Sequence, residues 1–176
     1  MVSAFPRYHS LSRGLFLLAF WAALPALSTA ADTVFFVVRH AERAPGGGDV
    51  PLSADGQKRA EQLMQTLEHL GVNGIYQTST IRTAETAKPL ATKLKTTPVV
   101  YADPSQPWID NLVSTSQGKR SLIVAHGNAV HQVVGRLIGK DVAPVGDRFD
   151  TLFVVVISGN EKSMVRLQYG KSEPSN

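Results

Sequence analysis

The 176-residue sequence contains no cysteine, which excludes disulfide bonds and thiolate metal sites. Its lysines and arginines are scattered and lack the interleaved aromatic residues of a nucleic-acid-binding patch. Residues 31–176 contain no linker, repeat or low-complexity tract. The glycine-rich segment 44–50 lacks the Gly-Lys-Ser/Thr of a P-loop, so no nucleotide is implied. The sequence therefore predicts one domain that depends on its core alone for stability.

The first 30 residues have the pattern of a secretory signal peptide. Arg7 and Arg13 precede an uncharged, largely apolar run over residues 14–27, and small residues follow up to Ala30. The run is shorter than the ~20 apolar residues of a spanning helix, and it contains Pro25. We expect cleavage after Ala30, and an uncleaved anchor is the alternative.

Cleavage there changes both the size and the charge of the chain. The mature domain, residues 31–176, has 146 residues, a length that suits a single core. Loss of two arginines and no acids leaves 16 basic and 14 acidic residues, so the net charge falls from +4 to +2. We therefore predict a periplasmic or secreted protein with no membrane span after cleavage.

Apolar segments alternate with helical patterns along the mature chain. The run Val34–Val38 consists of β-branched and aromatic residues, which is typical of a strand buried on both faces. Further strands are predicted at 74–77, 97–101, 121–125, 151–157 and 164–169, and helices at 53–71, from 79 or 80 onward, at 109–117 and at 129–138. This order predicts a three-layer α/β/α sandwich with a mostly parallel central sheet and helices on both faces.

Four residues with useful chemistry stand at strand ends or at a helix start. Arg39 and His40 end the first strand, His126 follows the strand at 121–125, and Arg82 lies in the first turn of the second helix. The carboxyl ends of parallel strands meet at one edge of a sheet, so these side chains should converge. A cation at the positive end of a helix dipole makes sense if an anion completes the site, although an ion pair with Glu85 is the alternative.

Two histidines and two arginines suit a phosphoryl group. Arginine presents paired donors to phosphate oxygens, and a histidine ring nitrogen can donate a hydrogen bond or attack phosphorus. Zinc is the competing use of the two histidines. It would normally recruit a third histidine or a carboxylate, and neighbouring arginines would repel it.

Three motifs in register resemble the histidine phosphatase superfamily, also called phosphoglycerate mutase-like. They are Arg39–Glu42, Ser79–Ala87 and Val124–Asn128, and Pro51–Gly56 is similar to the segment before the first helix of that family. The resemblance spans nearly the whole mature chain. Ala41 departs from the glycine that many members carry, a small change that other members share.

The resemblance implies a mechanism. His40 would be the nucleophile that becomes phosphohistidine, and Arg39, Arg82 and His126 would clamp the phosphate oxygens, with no metal and no cofactor. Asp103 is the predicted proton donor, because the larger branch places an acid between the second arginine and the second histidine. The remaining candidates for that donor are Asp110 and, behind it, Glu42, Asp147 and Asp150.

The function implied is a metal-independent phosphatase for phosphomonoesters. Export favours a periplasmic or extracellular phosphorylated small molecule or sugar, and the family includes an exported phosphatase of lipopolysaccharide heptose phosphate. Mutases fit less well because the connections here are short. The alternatives are a protein phosphohistidine phosphatase, a non-catalytic phosphate-binding protein, and a metal-dependent hydrolase built on His40, His126 and a carboxylate.

Overall fold

The computed structural model describes Met1 and residues 31–172. The signal peptide predicted at residues 1–30 therefore lies, apart from Met1, outside the described residues. Within the described part, no helix combines the length and apolarity needed to cross a membrane.

The described chain alternates strands and helices before it closes with a hairpin. The six strands are β1 (Thr33–Arg39), β2 (Gly74–Gln77), β3 (Val99–Val100), β4 (Arg120–Ala125), β5 (Thr151–Ser158) and β6 (Glu161–Gln168). The four helices are α1 (Ala54–Leu67), α2 (Ile81–Leu94), α3 (Gln106–Thr115) and α4 (Gly127–Ile138).

All six strands form one sheet in the order β3-β2-β4-β1-β5-β6. The first four in that order run parallel, and β5 and β6 are antiparallel to their neighbours. Because β1 lies between β4 and β5, it is central, as its apolar sequence predicts. The predicted α/β fold with a mostly parallel centre is confirmed.

The core has two halves, one on each face of the sheet. On one face, Phe35 and Val37 of β1 pack with residues of α3 and α4. On the other face, Val34, Phe36 and Val38 pack with residues of α1 and α2. Alternate residues of a strand point to opposite faces, so one short apolar run supplies both halves of the core.

Some element bounds differ from those predicted. Helix α1 ends at Leu67 and a turn continues to Gly71, whose φ of +71° only glycine adopts readily. Strand β6 begins at Glu161, three residues before the predicted Met164, because a two-residue turn at Gly159 and Asn160 lets pairing resume at once.

A buried ion pair joins the loop after β1 to the C-terminal segment. The Nε of Arg59 lies 2.8 and 2.9 Å from the two carboxylate oxygens of Glu42, and Arg59 is only 4% exposed. Its Nη1 donates to the carbonyl oxygens of Tyr169 and Lys171, at 3.5 and 3.2 Å. Removal of one member would leave a buried charge without its partner, which is strongly destabilising.

Candidate active site

The four residues singled out in the sequence line one cavity of ≈ 330 Å³ at the carboxyl edge of the sheet. Arg39 is the last residue of β1, His40 follows it, Arg82 is the second residue of α2, and His126 precedes α4. The parallel pairing of β1 and β4 places Arg39 opposite Ala125, so the two histidines follow neighbouring strand ends. The centres of their rings are 5.5 Å apart.

His40 is buried, at 5% exposure, and its two ring nitrogens are in different positions. The Nδ1 lies 2.8 Å from the carbonyl oxygen of Ala41, which can only accept, so Nδ1 carries the proton. In the neutral ring, Nε2 then holds the free lone pair. Burial, opposed by the hydrogen bond to Ala41 and reinforced by the charges of Arg39 and Arg82, lowers the pKa of His40 from 6.5 to about 4. Near neutral pH the imidazole is therefore an uncharged nucleophile.

Arg39 is held in place by the chain around it. Its Nη1 donates to the carbonyl oxygen of Gly146 at 3.0 Å, and its guanidinium carbon lies 4.1 Å from the ring centre of Phe149. A Cβ on Gly127 would lie 2.9 Å from Nε of Arg39, closer than real Cβ atoms approach such a neighbour. The glycine after His126 therefore makes room for this arginine.

Arg82 meets an anion supplied by the protein itself. The carboxylate of Asp49 accepts the backbone N–H of Ile81, at 3.0 and 3.1 Å to its two oxygens, and it lies 3.2 Å from Nη1 of Arg82. The alternative partner, Glu85, instead accepts the backbone N–H of Leu52 at 2.7 Å. An anion therefore does lie beside the arginine at the start of α2, as the position of that arginine in the sequence predicts. That anion is the carboxylate of Asp49, which belongs to the glycine-rich loop.

His126 differs from His40 in that both ring nitrogens have side-chain partners. Its Nδ1 is 3.3 Å from Nη2 of Arg82, and its Nε2 is 3.1 Å from Oγ1 of Thr78. Partial burial lowers the pKa of His126, and the charges of Arg82 and Arg39 add to that effect, while Asp49 opposes it. The ring is thus neutral in the environment that would bind an anion.

The loop that carries His40 is fastened to α2. The backbone N–H of Ala41 donates to Oγ1 of Thr86 at 2.9 Å, and that hydroxyl donates to the carbonyl oxygen of Arg82 at 2.7 Å. Ala41 and Thr86 are fully buried. A single hydroxyl therefore fixes the spacing between the two parts of the cavity.

The predicted proton donor does not lie in this cavity. Asp103 is exposed on the loop after β3, and it is not among the described residues that line the cavity around His40. Asp110 accepts from Gln106 on the exposed side of α3, at 2.8 Å. Glu42 is engaged by Arg59.

The two remaining acids differ from each other. Asp150 is completely buried and accepts a bidentate pair of hydrogen bonds from Arg148, at 3.0 and 2.6 Å. Asp147 is exposed and lines the cavity with His40. Of the five acids considered from the sequence, Asp147 is the one that the fold brings to the site.

Sequence reasoning left several residues of the site unassigned. Arg43 and Asn128 line the cavity, Asp49 binds Arg82, and Thr78 contacts His126. The sequence held part of the signal for Asp49. The arginine in the first turn of α2 predicts an anion beside it, and Asp49 is an acid in the glycine-rich loop that precedes α1. No sequence pattern indicates Thr78, because its contact with His126 exists only once the ends of β2 and β4 lie side by side in the sheet.

No group of three or more His, Asp or Glu side chains among the described residues is placed to hold a metal ion. The third ligand that a zinc site on His40 and His126 would need is therefore not in position in residues 31–172. The cavity presents Arg39, Arg43 and Arg82 beside the two histidines, which is a set of side chains suited to an oxyanion.

Comparison with protein-family models finds a match over part of the chain. The model of the histidine phosphatase superfamily, branch 1, matches residues 35–104, the part that contains β1, α1, β2 and α2. A search of curated proteins finds no match.

Solved structures are similar in fold at low sequence identity. The protein histidine phosphatase SixA complexed with tungstate has a TM-score of 0.65 and 14% identity, covering 77% of this chain and 96% of that one. A mycobacterial glucosyl-3-phosphoglycerate phosphatase has a TM-score of 0.61 and 13% identity, over 71% and 90% of the two chains. A phosphoserine phosphatase from Entamoeba histolytica has a TM-score of 0.58 and 11% identity, over 78% and 96%.

A sheet with two histidines and two arginines at its carboxyl edge is the arrangement that the resemblance to the phosphoglycerate mutase-like class implies. The family match over residues 35–104 and the fold shared with SixA support assignment of the chain to the histidine phosphatase superfamily.

Proposed function

We propose that the protein is a metal-independent phosphatase that hydrolyses phosphomonoesters through a phosphohistidine on His40. The observation that carries the proposal is the hydrogen bond from Nδ1 of His40 to the carbonyl oxygen of Ala41, at 2.8 Å. It leaves the lone pair of Nε2 free, beside two arginines in the same cavity. A buried, neutral histidine with a free ring nitrogen is a nucleophile at neutral pH.

The reaction has two steps. In the first, Nε2 of His40 attacks phosphorus, the bond from phosphorus to the ester oxygen breaks, and the leaving oxygen takes a proton from an acid. In the second, water attacks the phosphoryl group, the bond from phosphorus to nitrogen breaks, and the carboxylate recovers a proton from the water. Arg39 and Arg82 stabilise the charge on the non-bridging oxygens in both steps.

Asp147 is the proton donor in this proposal. It lines the cavity with His40, and it follows Gly146, whose carbonyl oxygen accepts from Arg39. Gly146, which accepts from Arg39, therefore directly precedes the proposed acid at the edge of the cavity. Asp103 is the competing assignment, and it rests on its position in the sequence.

The substrate in this proposal is a phosphorylated small molecule or sugar in the periplasm or outside the cell. The cavity volume of ≈ 330 Å³ lies at the lower end of the range for small-molecule sites. The signal peptide pattern of residues 1–30 supports export, and it disfavours an intracellular phosphohistidine protein as the substrate.

The test of the proposal is hydrolysis of an aryl phosphate by the full chain in the presence of a chelator. An aryl group leaves readily with little protonation, so this assay depends on the nucleophile and the arginines rather than on the acid. We expect turnover by the wild type and none by His40→Ala. His69→Ala, which changes an exposed histidine at the end of α1, is the matched control and should keep full activity.

The other outcomes separate the alternatives. A folded wild type that binds inorganic phosphate and turns nothing over would favour a phosphate-binding protein. Activity that the chelator abolishes and added metal restores would favour a metal-dependent hydrolase.

The proton donor is tested by comparing leaving groups. Asp147→Asn should lower kcat for an alkyl phosphate by about 10²-fold or more, since general acid catalysis contributes about 10²–10⁴ when the leaving group is poor. The same variant should change kcat for an aryl phosphate only slightly. Asp103→Asn is the matched control, and the reverse pattern would assign the donor to Asp103.

A further inference from the structure

A group of threonine hydroxyls lies directly behind His126. Oγ1 of Thr78 is 3.1 Å from Nε2 of His126, 2.9 Å from Oγ1 of Thr83 and 3.2 Å from Oγ1 of Thr80. Thr83 is fully buried, and Thr78 is 9% exposed. The mechanism above uses none of these hydroxyls, yet they touch a ring at the centre of the site.

The direction of each hydrogen bond follows from the Arg82 end. Arginine has donors and no acceptor, so Nη2 of Arg82 must donate to Nδ1 of His126 across their 3.3 Å contact. That nitrogen therefore has a lone pair and no proton. A neutral imidazole carries one proton, which must then be on Nε2, and Nε2 donates it to Oγ1 of Thr78.

The threonine end agrees with that direction. Oγ1 of Thr83 lies 3.0 and 2.9 Å from the carbonyl oxygens of Thr78 and Thr80, which can only accept, so its single proton is used there. Oγ1 of Thr83 is then an acceptor for its neighbours. The Thr78 hydroxyl can donate to Thr83 while it accepts from His126, so each contact from Arg82 through His126 and Thr78 to Thr83 has one donor and one acceptor.

We propose that Thr78 is a positioning residue that accepts the Nε2 proton of His126 and, together with Arg82 at Nδ1, holds the ring in the tautomer whose Nδ1 lone pair binds the Arg82 guanidinium. Asp49 accepts from Nη1 of Arg82, and His126 accepts from Nη2. The two acceptors fix the plane of the guanidinium before any substrate enters. This inference rests on the proposed function only for its effect on turnover.

The opposite tautomer would work against the site. With the proton on Nδ1, an N–H of His126 would face an N–H of Arg82, and the arginine would lose one of its two anchors. The charged and titratable groups around the ring are Arg82 and Asp49 on one side and Arg39 and His40 on the other. None of them is an acceptor held against Nε2, so Thr78 is the acceptor for the Nε2 proton while Arg82 occupies Nδ1.

The test reads the tautomer directly. Nitrogen-15 NMR of the histidine rings in the full chain, without substrate, distinguishes a protonated from an unprotonated ring nitrogen, and His126→Gln identifies the signals of His126. We expect a protonated Nε2 and an unprotonated Nδ1 in the wild type. Thr78→Val keeps the shape of the side chain and removes the hydroxyl, and it should move His126 toward the other tautomer.

Activity is the second readout. Loss of the partner that orients a metal-bound histidine costs about 10–100-fold, and we expect a loss of that order in kcat/KM of Thr78→Val for an aryl phosphate. Thr78→Ser keeps the hydroxyl and should restore both the tautomer and the rate. Thr80→Val is the matched control, because Thr80 touches Thr78 and Thr83 but not His126.

Each outcome bears on the inference. A wild-type His126 with its proton on Nδ1 would overturn it, and so would a Thr78→Val protein with an unchanged tautomer. Equal losses in Thr78→Val and Thr80→Val would also overturn it, since they would indicate packing alone. A wild type without turnover would refute the proposed function and leave the NMR result to decide this inference separately.

Discussion

The ends of β1 and β4 look alike in sequence and differ in chemistry. Each is a buried apolar strand that stops at a histidine, and the two strands are neighbours in the sheet. His40 is almost wholly buried and donates from Nδ1 to a backbone carbonyl, so one ring nitrogen stays available. His126 is less buried and has a side-chain partner on each ring nitrogen.

The difference teaches that the partner of a histidine decides its role. A backbone carbonyl fixes the tautomer of His40 and leaves the lone pair of Nε2 available for the proposed attack on phosphorus. An arginine and a threonine fix the opposite tautomer of His126, and they make that ring part of the arginine's support. One residue type at two equivalent strand ends can therefore supply a nucleophile and an anchor.

The largest effect should come from exchanging each histidine for alanine. We expect His40→Ala to lose aryl phosphate hydrolysis to the background, because no other group in the cavity is a free, neutral nucleophile among the described residues. His126→Ala should lose about 10²-fold or more, because Arg82 loses one of the two acceptors that orient its guanidinium and a displacement of about 1 Å can cost about 10²-fold.

Trapping the intermediate separates the two roles further. A brief reaction with labelled substrate, followed by denaturation in base, should label His126→Ala and leave His40→Ala unlabelled. The comparison fails if both variants are unlabelled and equally inactive, or if His40→Ala takes up the label.

A smaller effect should follow from Gly127→Ala, which acts where the two strand ends meet. The new Cβ would lie 2.9 Å from Nε of Arg39 and would push the guanidinium away. A displacement of about 1 Å can cost about 10²-fold in rate, and we expect that loss in kcat/KM for an aryl phosphate. Gly47→Ala is the matched control, since its Cβ would meet nothing within 4 Å. Equal activity of the two variants would show that Arg39 tolerates the shift.

The smallest expected effect is on the pH dependence of kcat/KM. It tests the difference in burial between His40 and His126. Because burial lowers the pKa of His40 to about 4, its nucleophilic form should persist well below the ordinary value of 6.5. We expect kcat/KM for an aryl phosphate to stay free of any loss from His40 protonation until the pH approaches about 4. A decline in kcat/KM centred near pH 6.5 would contradict a buried His40 if substitution of each other histidine left that decline in place.

The same lowered pKa links stability to pH. Between pH 6.5 and about 4, the unfolded chain binds a proton on His40 and the folded chain does not, so the free energy of unfolding falls as the pH falls. One pKa unit corresponds to about 1.4 kcal/mol, which limits this loss to roughly 3 kcal/mol. Urea unfolding of the wild type and of His40→Asn over this range measures it, and the loss should shrink in the variant.

The sequence carried the fold and the convergence of four residues. The run Val34–Val38 predicted a central strand, and its position between β4 and β5 agrees with that prediction. The prediction that four residues meet needed only local patterns, because strand ends and helix starts can be recognised in the sequence and lie at one edge of a parallel sheet. These residues are Arg39, His40, Arg82 and His126. Their meeting around one cavity needed only the normal winding of a parallel sheet.

The rest of the site depended on distant contacts that no local pattern reveals. Asp49 reaches Arg82 from a loop, and Thr78 reaches His126 from the end of another strand. Asp103 was favoured as the acid because of its position along the chain, whereas Asp147 comes to the cavity through the loop that also holds Arg39. Loop geometry, rather than residue type, separates these two aspartates.

The central position of β1 also sets the order in which the site can be assembled. Of the described strands, β1, which delivers His40, is synthesised first, yet it pairs with β4 and β5, which come later in the chain. The bonds from Arg59 to the carbonyls of Tyr169 and Lys171 require the last described residues as well. Long-range pairing of this kind slows folding, since the entropy of closing a long loop is lost before the stabilising contacts between the strands can form. A nascent chain therefore carries His40 early in its synthesis and completes the cavity around it only when the last described segment has arrived.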